Sequence, residues 1–104
     1  MIITTAEQIA GQELQTLGLV QGSVVRAKHV GRDIMASFKT IVGGEIHGYT
    51  ELMYEARGIA TGRMIEQAKA MGADAVVATR YSTCAVMSGC SEVMAYGTAV
   101  KFVR

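Results

Sequence analysis

A run of apolar residues at helical spacing crosses the middle of the chain and is its clearest pattern. From Tyr49 or Thr50 to Met71, apolar side chains recur every three or four residues, which is the spacing of an amphipathic helix. The stripe consists of Leu52, Met53, Ala56, Ile59, Ala60, Met64, Ala68 and Met71. Gly72 follows directly, and glycine is the residue that most often closes a helix. The pattern predicts one long helix that ends near Met71.

The opposite side of this helix is unusual, because it carries small and weakly polar residues where an isolated helix would favour Glu or Lys. These residues are Gly58, Thr61, Gly62 and Ile65. Each glycine inside a helix costs about 1 kcal/mol relative to alanine. The patch therefore predicts that another backbone or side chain approaches closely there, and a neighbouring subunit is a good candidate.

Extended patterns precede the helix. Met1 to Thr5 is short and β-branched, and the segment from Gln12 to Lys28 has an extended rather than a helical pattern. Gly18 and Gly22 lie inside that segment and suggest a bulge or a turn. Two strands are therefore predicted before the helix.

The last third of the chain has the pattern of a β-hairpin. Ala75 to Tyr81 is β-branched, Ser88-Gly89 is typical of a turn, and Val93 to Val103 runs back. Both faces of the last strand are apolar: one carries Val93, Ala95, Ala99 and Val103, and the other carries Met94, Tyr96, Val100 and Phe102. Because one long helix covers one face, we expect a second copy of the chain to bury the other.

A second, shorter helix is predicted from Arg32 to Ile41. Its apolar positions are at helical spacing, Asp33 is available as an N-cap, and Gly43-Gly44 stops it. Gly43-Gly44 also precedes the long helix, whose first N–H groups attract anions, although the G-x-G-x-x-G and Walker patterns are both missing. A helix-to-helix connection and an anion site both fit these glycines.

Composition places the chain among small globular proteins. Its 104 residues, half of them hydrophobic, predict a single domain over residues 1–104. Together with the patterns above, this predicts an α+β domain with an antiparallel sheet, one long helix on one face and a short helix. A net charge of +1 gives no reason to expect nucleic acid or a membrane as a partner. The first residues do not resemble a signal peptide, so we expect a cytoplasmic protein with reduced thiols.

Both cysteines of the chain lie in the predicted hairpin, in the spacing C-x2-M-x2-C formed by Cys84, Met87 and Cys90. Thiolate and thioether sulfur together favour Cu(I) or another soft ion. If Ser88-Gly89 is a two-residue turn, Met87 pairs with Cys90 and Cys84 pairs with Val93, which puts the two cysteines on opposite faces. Ordinary packing of small cysteines and a flexible methionine fits the same pattern.

The remaining candidate side chains are scattered. His29 and His47 each stand without the second ligand that a helical metal motif needs, although either could reach a site assembled between subunits. Charged and aromatic residues gather where the helices are predicted to begin; they are Arg32, Asp33, Tyr49, Glu51, Glu55 and Arg57. They mark the best candidate pocket, although charged residues at helix ends are mostly capping or solvated side chains. No nucleophile and base form a recognisable signature, so the chain is not expected to be an enzyme.

Six short segments, in this order and spacing, resemble the YbjQ-like family over nearly the whole chain. They are Ile2-Ile3-Thr4-Thr5, Arg32-Asp33-Ile34, Ile41-Val42-Gly43-Gly44, Gly48-Tyr49, residues 70–77 (AMGADAVV) and residues 96–100 (YGTAV). The resemblance implies a β-β-α-β-β subunit similar to dodecin subunits, assembled into a ring-shaped homopentamer. The family is described as heavy-metal-binding and has no established biochemical activity, so the resemblance implies metal binding without naming a reaction.

The sequence and the resemblance together predict a small, ring-forming cytoplasmic binding protein. Its expected cofactor is a soft or transition metal ion, with Cys84, Met87, Cys90 and His29 as donors. The alternative is a dodecin-like oligomer that binds a small molecule or an anion without a metal. Its ligand would lie near Arg32, Asp33, Gly43, Gly44, Tyr49, Glu51 and Arg57. Pentamers and paired rings fit the sequence equally.

Overall fold

A four-stranded sheet and one long helix make up most of the chain described by the computed structural model, which covers residues 1–27, 41–42, 45–87 and 89–103. The elements in chain order are β1 (Ile2–Ile3), β2 (Glu13–Ala27), β3 (Ile41–Val42), β4 (Glu45–Ile46), α1 (His47–Ala70), β5 (Ala75–Met87) and β6 (Cys90–Val103). This arrangement confirms the predicted α+β class. The helix α1 does not combine the length and apolarity needed to cross a membrane.

The sheet is mixed rather than antiparallel throughout. Its strand order is β1-β5-β6-β2, and β6 pairs antiparallel with both of its neighbours. The short strand β1 pairs parallel with the start of β5, where Ile2 lies beside Ala75 and Ile3 beside Val76. The prediction of a purely antiparallel sheet is therefore wrong at this edge, because a parallel neighbour requires a long crossover connection, which β2 and α1 lie within.

The helix ends where its sequence indicates. Gly72 has a φ of +77°, which is strained for residues with a Cβ atom. The Gly72 N–H donates to the Lys69 carbonyl at 3.0 Å, and the Ala73 N–H donates to the Ala68 carbonyl at 3.1 Å. These two bonds form a Schellman motif, which satisfies carbonyl groups at the end of the helix. The predicted end near Met71 is confirmed to within one residue.

The main core lies between α1 and one face of the sheet, here called the inner face. The helix contributes small buried residues at the predicted spacing, and β2 and β6 contribute valine and alanine. The buried cluster is Val20, Val24, Ala56, Ala60, Met64, Ala68, Val76, Val93, Ala95 and Ala99. Because so many of these side chains are small, the helix lies close to the backbone of β2.

The other face of the sheet, here called the outer face, is partly covered by the chain itself. Ala75, Val77 and Val100 are buried there, and Ile9 of the loop between β1 and β2 packs against them together with Leu14 and Phe102. The two apolar faces of β6 are confirmed. The expectation that a second copy covers the outer face is incomplete, because the loop covers the end of the sheet nearest to β1.

The connection that precedes α1 differs from the predicted helix-to-helix link. Ile41, expected to end a short helix, lies in β3 and pairs with Ile46 of β4, while Val42 pairs with Glu45. Strand β4 then leads directly into α1. Residues 32–40 of the predicted short helix and Gly43-Gly44 themselves lie outside the described residues.

A bulge in β5 carries an unsatisfied hydroxyl group. The register with β6 shifts between Val77 and Arg80, and Ala78 takes a left-handed φ of +52°. Thr79 is only 2% exposed, and its Oγ1 has no hydrogen-bond partner among the described residues. A buried hydroxyl without a partner loses its hydration and gains no hydrogen bond in return.

We therefore expect Thr79→Val to raise the free energy of unfolding by about 1 kcal/mol, since valine keeps the β-branched shape and removes the hydroxyl. Urea denaturation followed by circular dichroism measures the change. The matched control is Thr4→Val, because the Thr4 hydroxyl accepts a hydrogen bond from the Ala6 N–H at 3.1 Å. If Thr4→Val raises the free energy of unfolding as much as Thr79→Val does, the unsatisfied Thr79 hydroxyl is not the cause.

Candidate functional site

The β5–β6 hairpin places the three sulfur-containing residues differently from the sequence prediction. Met87 pairs with Cys90, as predicted, but Cys84 pairs with Glu92 instead of Val93. The cause is a register shift between Ala85 and Met87, which inserts one extra residue into β5. Residues paired across two strands lie on the same face of the sheet, and so do residues two apart in one strand. Cys84, Met87 and Cys90 therefore share the outer face, and the prediction of opposite faces is wrong.

All three sulfur groups are accessible in the described chain. Cys84 is exposed, Cys90 is half-buried, and both are free thiols. Met87 is 66% exposed at the end of the hairpin. The Cys84 thiol contacts the Ala85 carbonyl at 3.7 Å, which is a weak interaction that a metal ion could replace. These groups are thus available to an ion from solvent.

The register also limits which bond the two cysteines can form. Cys84 lies across from Glu92, two residues along β6 from Cys90. One strand spacing and two residues of rise place the two Cα atoms about 8 Å apart. A disulfide needs Cα atoms within about 7 Å, so these thiols cannot bridge without backbone movement. A metal ion bound by both thiols requires a smaller backbone movement than a disulfide does, because two metal–sulfur bonds of about 2.3 Å span a longer distance than one sulfur–sulfur bond.

Within the described part of the chain, no three His, Cys, Asp or Glu side chains are grouped as a metal site would require. Two thiols and the Met87 thioether are the sulfur donors that the described hairpin offers on its outer face. His29, the predicted fourth donor, lies outside the described residues. The sulfur set matches soft ions and lacks the four close ligands of a structural zinc site.

The pocket predicted near the start of the helices is not assembled by the described side chains. Glu51 and Arg57 are both exposed on α1. Glu55 forms an ion pair with Arg26 of β2 at 2.8 Å, so it fastens the helix to the sheet. Arg32, Asp33, Gly43 and Gly44 lie outside the described residues, as does the side chain of Tyr49. Of this set, Arg57 alone lines a groove that the structure describes.

That groove runs along α1 beside β5 and was missed by the sequence prediction. It has a volume of about 290 Å³ and is lined by Tyr54, Arg57, Gly58, Thr61 and Tyr81. The four helix residues follow the spacing i, i+3, i+4, i+7, which is a second stripe beside the core. The unusual small-residue patch was the available signal. The sequence gives no signal for Tyr81, because only the folding of the chain brings this residue beside the helix.

The two glycines of the small-residue patch are open within one chain. A Cβ atom added at Gly58 or at Gly62 would meet no atom within 4 Å outside the neighbouring backbone of its own helix. The close approach predicted for this patch is made within the subunit at Thr61, where the Tyr81 hydroxyl lies 2.8 Å away, and by no described residue at the two glycines. An approach by a neighbouring subunit stays a prediction.

The outer face exposes large apolar side chains beyond the part that the N-terminal loop covers. Leu19 is 66% exposed and Val25 is 56% exposed, and their cross-strand partners are Thr98 and Glu92. The described residues form an elongated body of 56 × 25 × 16 Å with a radius of gyration of 17.0 Å. A compact chain of this length has a radius of about 13 Å. The extended hairpin thus carries apolar surface away from the chain's own core.

Comparison with known proteins places this architecture in a recognised group. The YbjQ family model, described as "Putative heavy-metal-binding", matches residues 1–103. A UPF0145 protein of Thermotoga maritima is 58% identical over 105 residues, covering 100% of this chain and 99% of the relative. A UPF0145 protein of Vibrio parahaemolyticus is 56% identical over 105 residues and covers 100% of both chains.

A solved structure supports the fold. It is a protein of unknown function of the DUF74 family from Pediococcus pentosaceus, with a TM-score of 0.67 and 19% sequence identity, covering 99% of this chain and 98% of that one. At this identity the likeness concerns the fold alone.

Proposed function

This chain belongs to the YbjQ-like family, and we propose that it is a self-assembling binding protein that takes up a soft metal ion at the end of its β5–β6 hairpin. The observation that carries the proposal is the register of the hairpin. It puts Cys84, Met87 and Cys90 on one face, where the sequence alone separated the two cysteines. The family's description as heavy-metal-binding agrees with this set of ligands.

The chemistry of the three donors favours Cu(I). Two thiolates and one thioether are soft ligands, and Cu(I) accepts two or three of them. Zn²⁺ sites normally collect four ligands at close spacing, which this hairpin does not offer within one chain. Such a site needs reduced thiols, and this requirement fits the cytoplasmic location expected from the sequence. His29 remains a proposed fourth donor, at a site assembled between subunits.

Assembly belongs to the same proposal. The outer face exposes Leu19, Val25 and Met87, and the backbone edge of β5 from Arg80 to Met87 pairs only with β6 among the described residues. An apolar face beside an open strand edge favours association with another copy. The family resemblance makes a ring-shaped homopentamer the arrangement that we propose.

The metal site is tested by replacing both cysteines. We expect Cys84→Ser together with Cys90→Ser to abolish stoichiometric Cu(I) binding, because a serine hydroxyl is a poor ligand for a soft ion. Met87→Leu keeps the side-chain volume and should weaken binding about tenfold by removing one donor. Competition with a chromophoric Cu(I) chelator under anaerobic, reducing conditions measures both affinities.

The control for this titration is Thr83→Ser, a small change in the same strand that removes no sulfur. The control variant should bind as the unmodified protein does. If the double serine variant retains one Cu(I) per chain with undiminished affinity, the hairpin is not the site. If the unmodified protein binds no Cu(I) at all, the metal proposal fails while the assembly proposal stands.

A further inference from the structure

The groove between α1 and β5 presents a positive charge without an anionic partner among the described residues. Arg57 is exposed and forms no ion pair with any described carboxylate, whereas the nearby Glu55 is bound to Arg26. The guanidinium carbon of Arg57 lies 5.5 Å from the centre of the Tyr54 ring. This contact holds the planar group against an aromatic face and leaves its N–H edge free for a ligand.

The hydroxyl groups of the groove have a defined direction. The Thr61 hydroxyl donates to the Arg57 carbonyl at 2.7 Å, so its single hydrogen is already used. The Tyr81 hydroxyl lies 2.8 Å from the Thr61 Oγ1 and must therefore donate to it. Tyr81 is fixed in place by this bond, and its ring forms the wall of the groove contributed by β5. The Thr61 and Tyr81 hydroxyl hydrogens are thus used within the protein, and the guanidinium of Arg57 is the cationic group that lines the groove.

Gly58 gives the groove its depth. It lines the groove together with Tyr54 and Tyr81, and a Cβ atom there would meet no atom within 4 Å outside the neighbouring backbone of its own helix. A larger residue at this position would fill that space. The glycine was unexplained by the core, and a ligand resting on the helix backbone accounts for it.

We propose that this groove binds a small aromatic carboxylate, with Arg57 paired to the carboxylate and the ring between Tyr54 and Tyr81. A guanidinium and a carboxylate match in plane and charge, and an aromatic ring stacks on tyrosine. The groove volume of about 290 Å³ is roughly twice that of an engineered cavity of about 150 Å³ that holds benzene. One ring with a carboxylate therefore fits. The site is separate from the cysteines and does not depend on a metal.

The probe for this proposal is benzoate, and the method is saturation-transfer difference NMR on the full-length, metal-free protein in its native assembly. We expect saturable binding of benzoate, with weaker binding of both benzyl alcohol and cyclohexanecarboxylate. Benzyl alcohol keeps the ring and loses the charge, whereas cyclohexanecarboxylate keeps the charge and loses the aromatic face. Each comparator removes one of the two proposed interactions.

Variants then locate the site. Arg57→Gln should weaken benzoate binding about tenfold, which is the usual loss for one charge-assisted hydrogen-bonded contact. Tyr54→Ala should weaken it by a smaller factor, since it removes one stacking face. The matched control is Lys69→Gln, which removes an equal charge from an exposed position in the last turn of the same helix. This control should leave benzoate binding unchanged.

Three results would overturn the proposal. The first is the absence of saturable benzoate binding to the unmodified protein. The second is equal binding by the Arg57 and Lys69 variants, which would show attraction by net charge alone. The third is equal binding of benzoate and cyclohexanecarboxylate, which would remove the role of the tyrosine rings. None of these results bears on Cu(I) binding, so the two proposals fail separately.

Discussion

Gly22→Ala is expected to lower the free energy of unfolding by about 3 kcal/mol, at the upper end of the range for overpacked cores. A Cβ atom at Gly22 would lie 2.4 Å from the Ala60 carbonyl oxygen and 2.4 Å from the Met64 backbone nitrogen. Both atoms belong to the backbone of α1, so no side-chain rotation relieves the clash. The helix must move away from β2, which opens the small-residue core between them.

The cost should appear as a melting temperature about 15 °C lower than that of the unmodified protein. Thermal unfolding followed by circular dichroism measures it, at one protein concentration for all variants because the melting temperature of an oligomeric protein depends on concentration. Urea denaturation gives the free energy change independently. A Gly22→Ala variant as stable as the unmodified protein would contradict the close contact between α1 and β2.

Gly62→Ala is the matched control for this experiment. Gly62 lies inside α1, and a Cβ atom there meets no atom within 4 Å in the described chain outside the neighbouring backbone of its own helix. In the single subunit, alanine should stabilise the helix by about 1 kcal/mol, because it restricts the unfolded chain and favours helical backbone. A loss seen only in the assembled protein would instead mark the predicted approach of a neighbouring subunit. The two substitutions add the same methyl group with opposite expected signs. An equal loss in both variants would show that the helix contact is not the cause.

Gly72 and Gly22 show where sequence reasoning succeeds and where it fails. The apolar stripe of α1 and Gly72 at its end are local signals, and both predict the helix to within a few residues. Glycine inside a strand has several causes, and sequence does not separate them. Gly22 suggested a bulge or turn, whereas the structure shows a strand residue in contact with a helix backbone. Only the packing of two distant elements distinguishes these cases.

The sequence names candidate donors for the proposed metal site, but it does not give their geometry. The turn at Gly89 set the pair Met87 and Cys90 correctly, because a short turn determines the first pair of a hairpin. The register shift before Met87 has no local sequence signal, and it moved Cys84 from one face to the other. The Arg57 groove was missed for a similar reason, since Thr61 and Tyr81 are 20 residues apart and meet through the fold.

Charged residues on the outer face of the sheet are expected to prevent assembly while leaving the subunit folded. The variant combines Leu19→Lys and Val25→Lys, at positions that are 66% and 56% exposed in the single chain. Lysine at position 25 lies across from Glu92, where opposite charges stabilise an antiparallel pair. The same lysine becomes costly when another subunit buries it.

The expected effect follows from the apolar area that each contact would lose. Burying two aliphatic side chains contributes about 4 kcal/mol per subunit contact, which corresponds to a dissociation constant raised about a thousandfold. Native mass spectrometry and sedimentation velocity should therefore show an oligomer for the unmodified protein and single chains for the variant. Circular dichroism should show the same secondary structure for both.

The control adds the same two positive charges outside the sheet, as Gln8→Lys with Gln12→Lys in the exposed loop between β1 and β2. This variant should assemble as the unmodified protein does, because its charges stay in solvent. If it dissociates equally, net charge rather than the outer face governs assembly. If the unmodified protein is a single chain at micromolar concentration, its apolar outer face has another role. If the unmodified protein is an oligomer, its mass distinguishes a ring of five subunits from a pair of such rings.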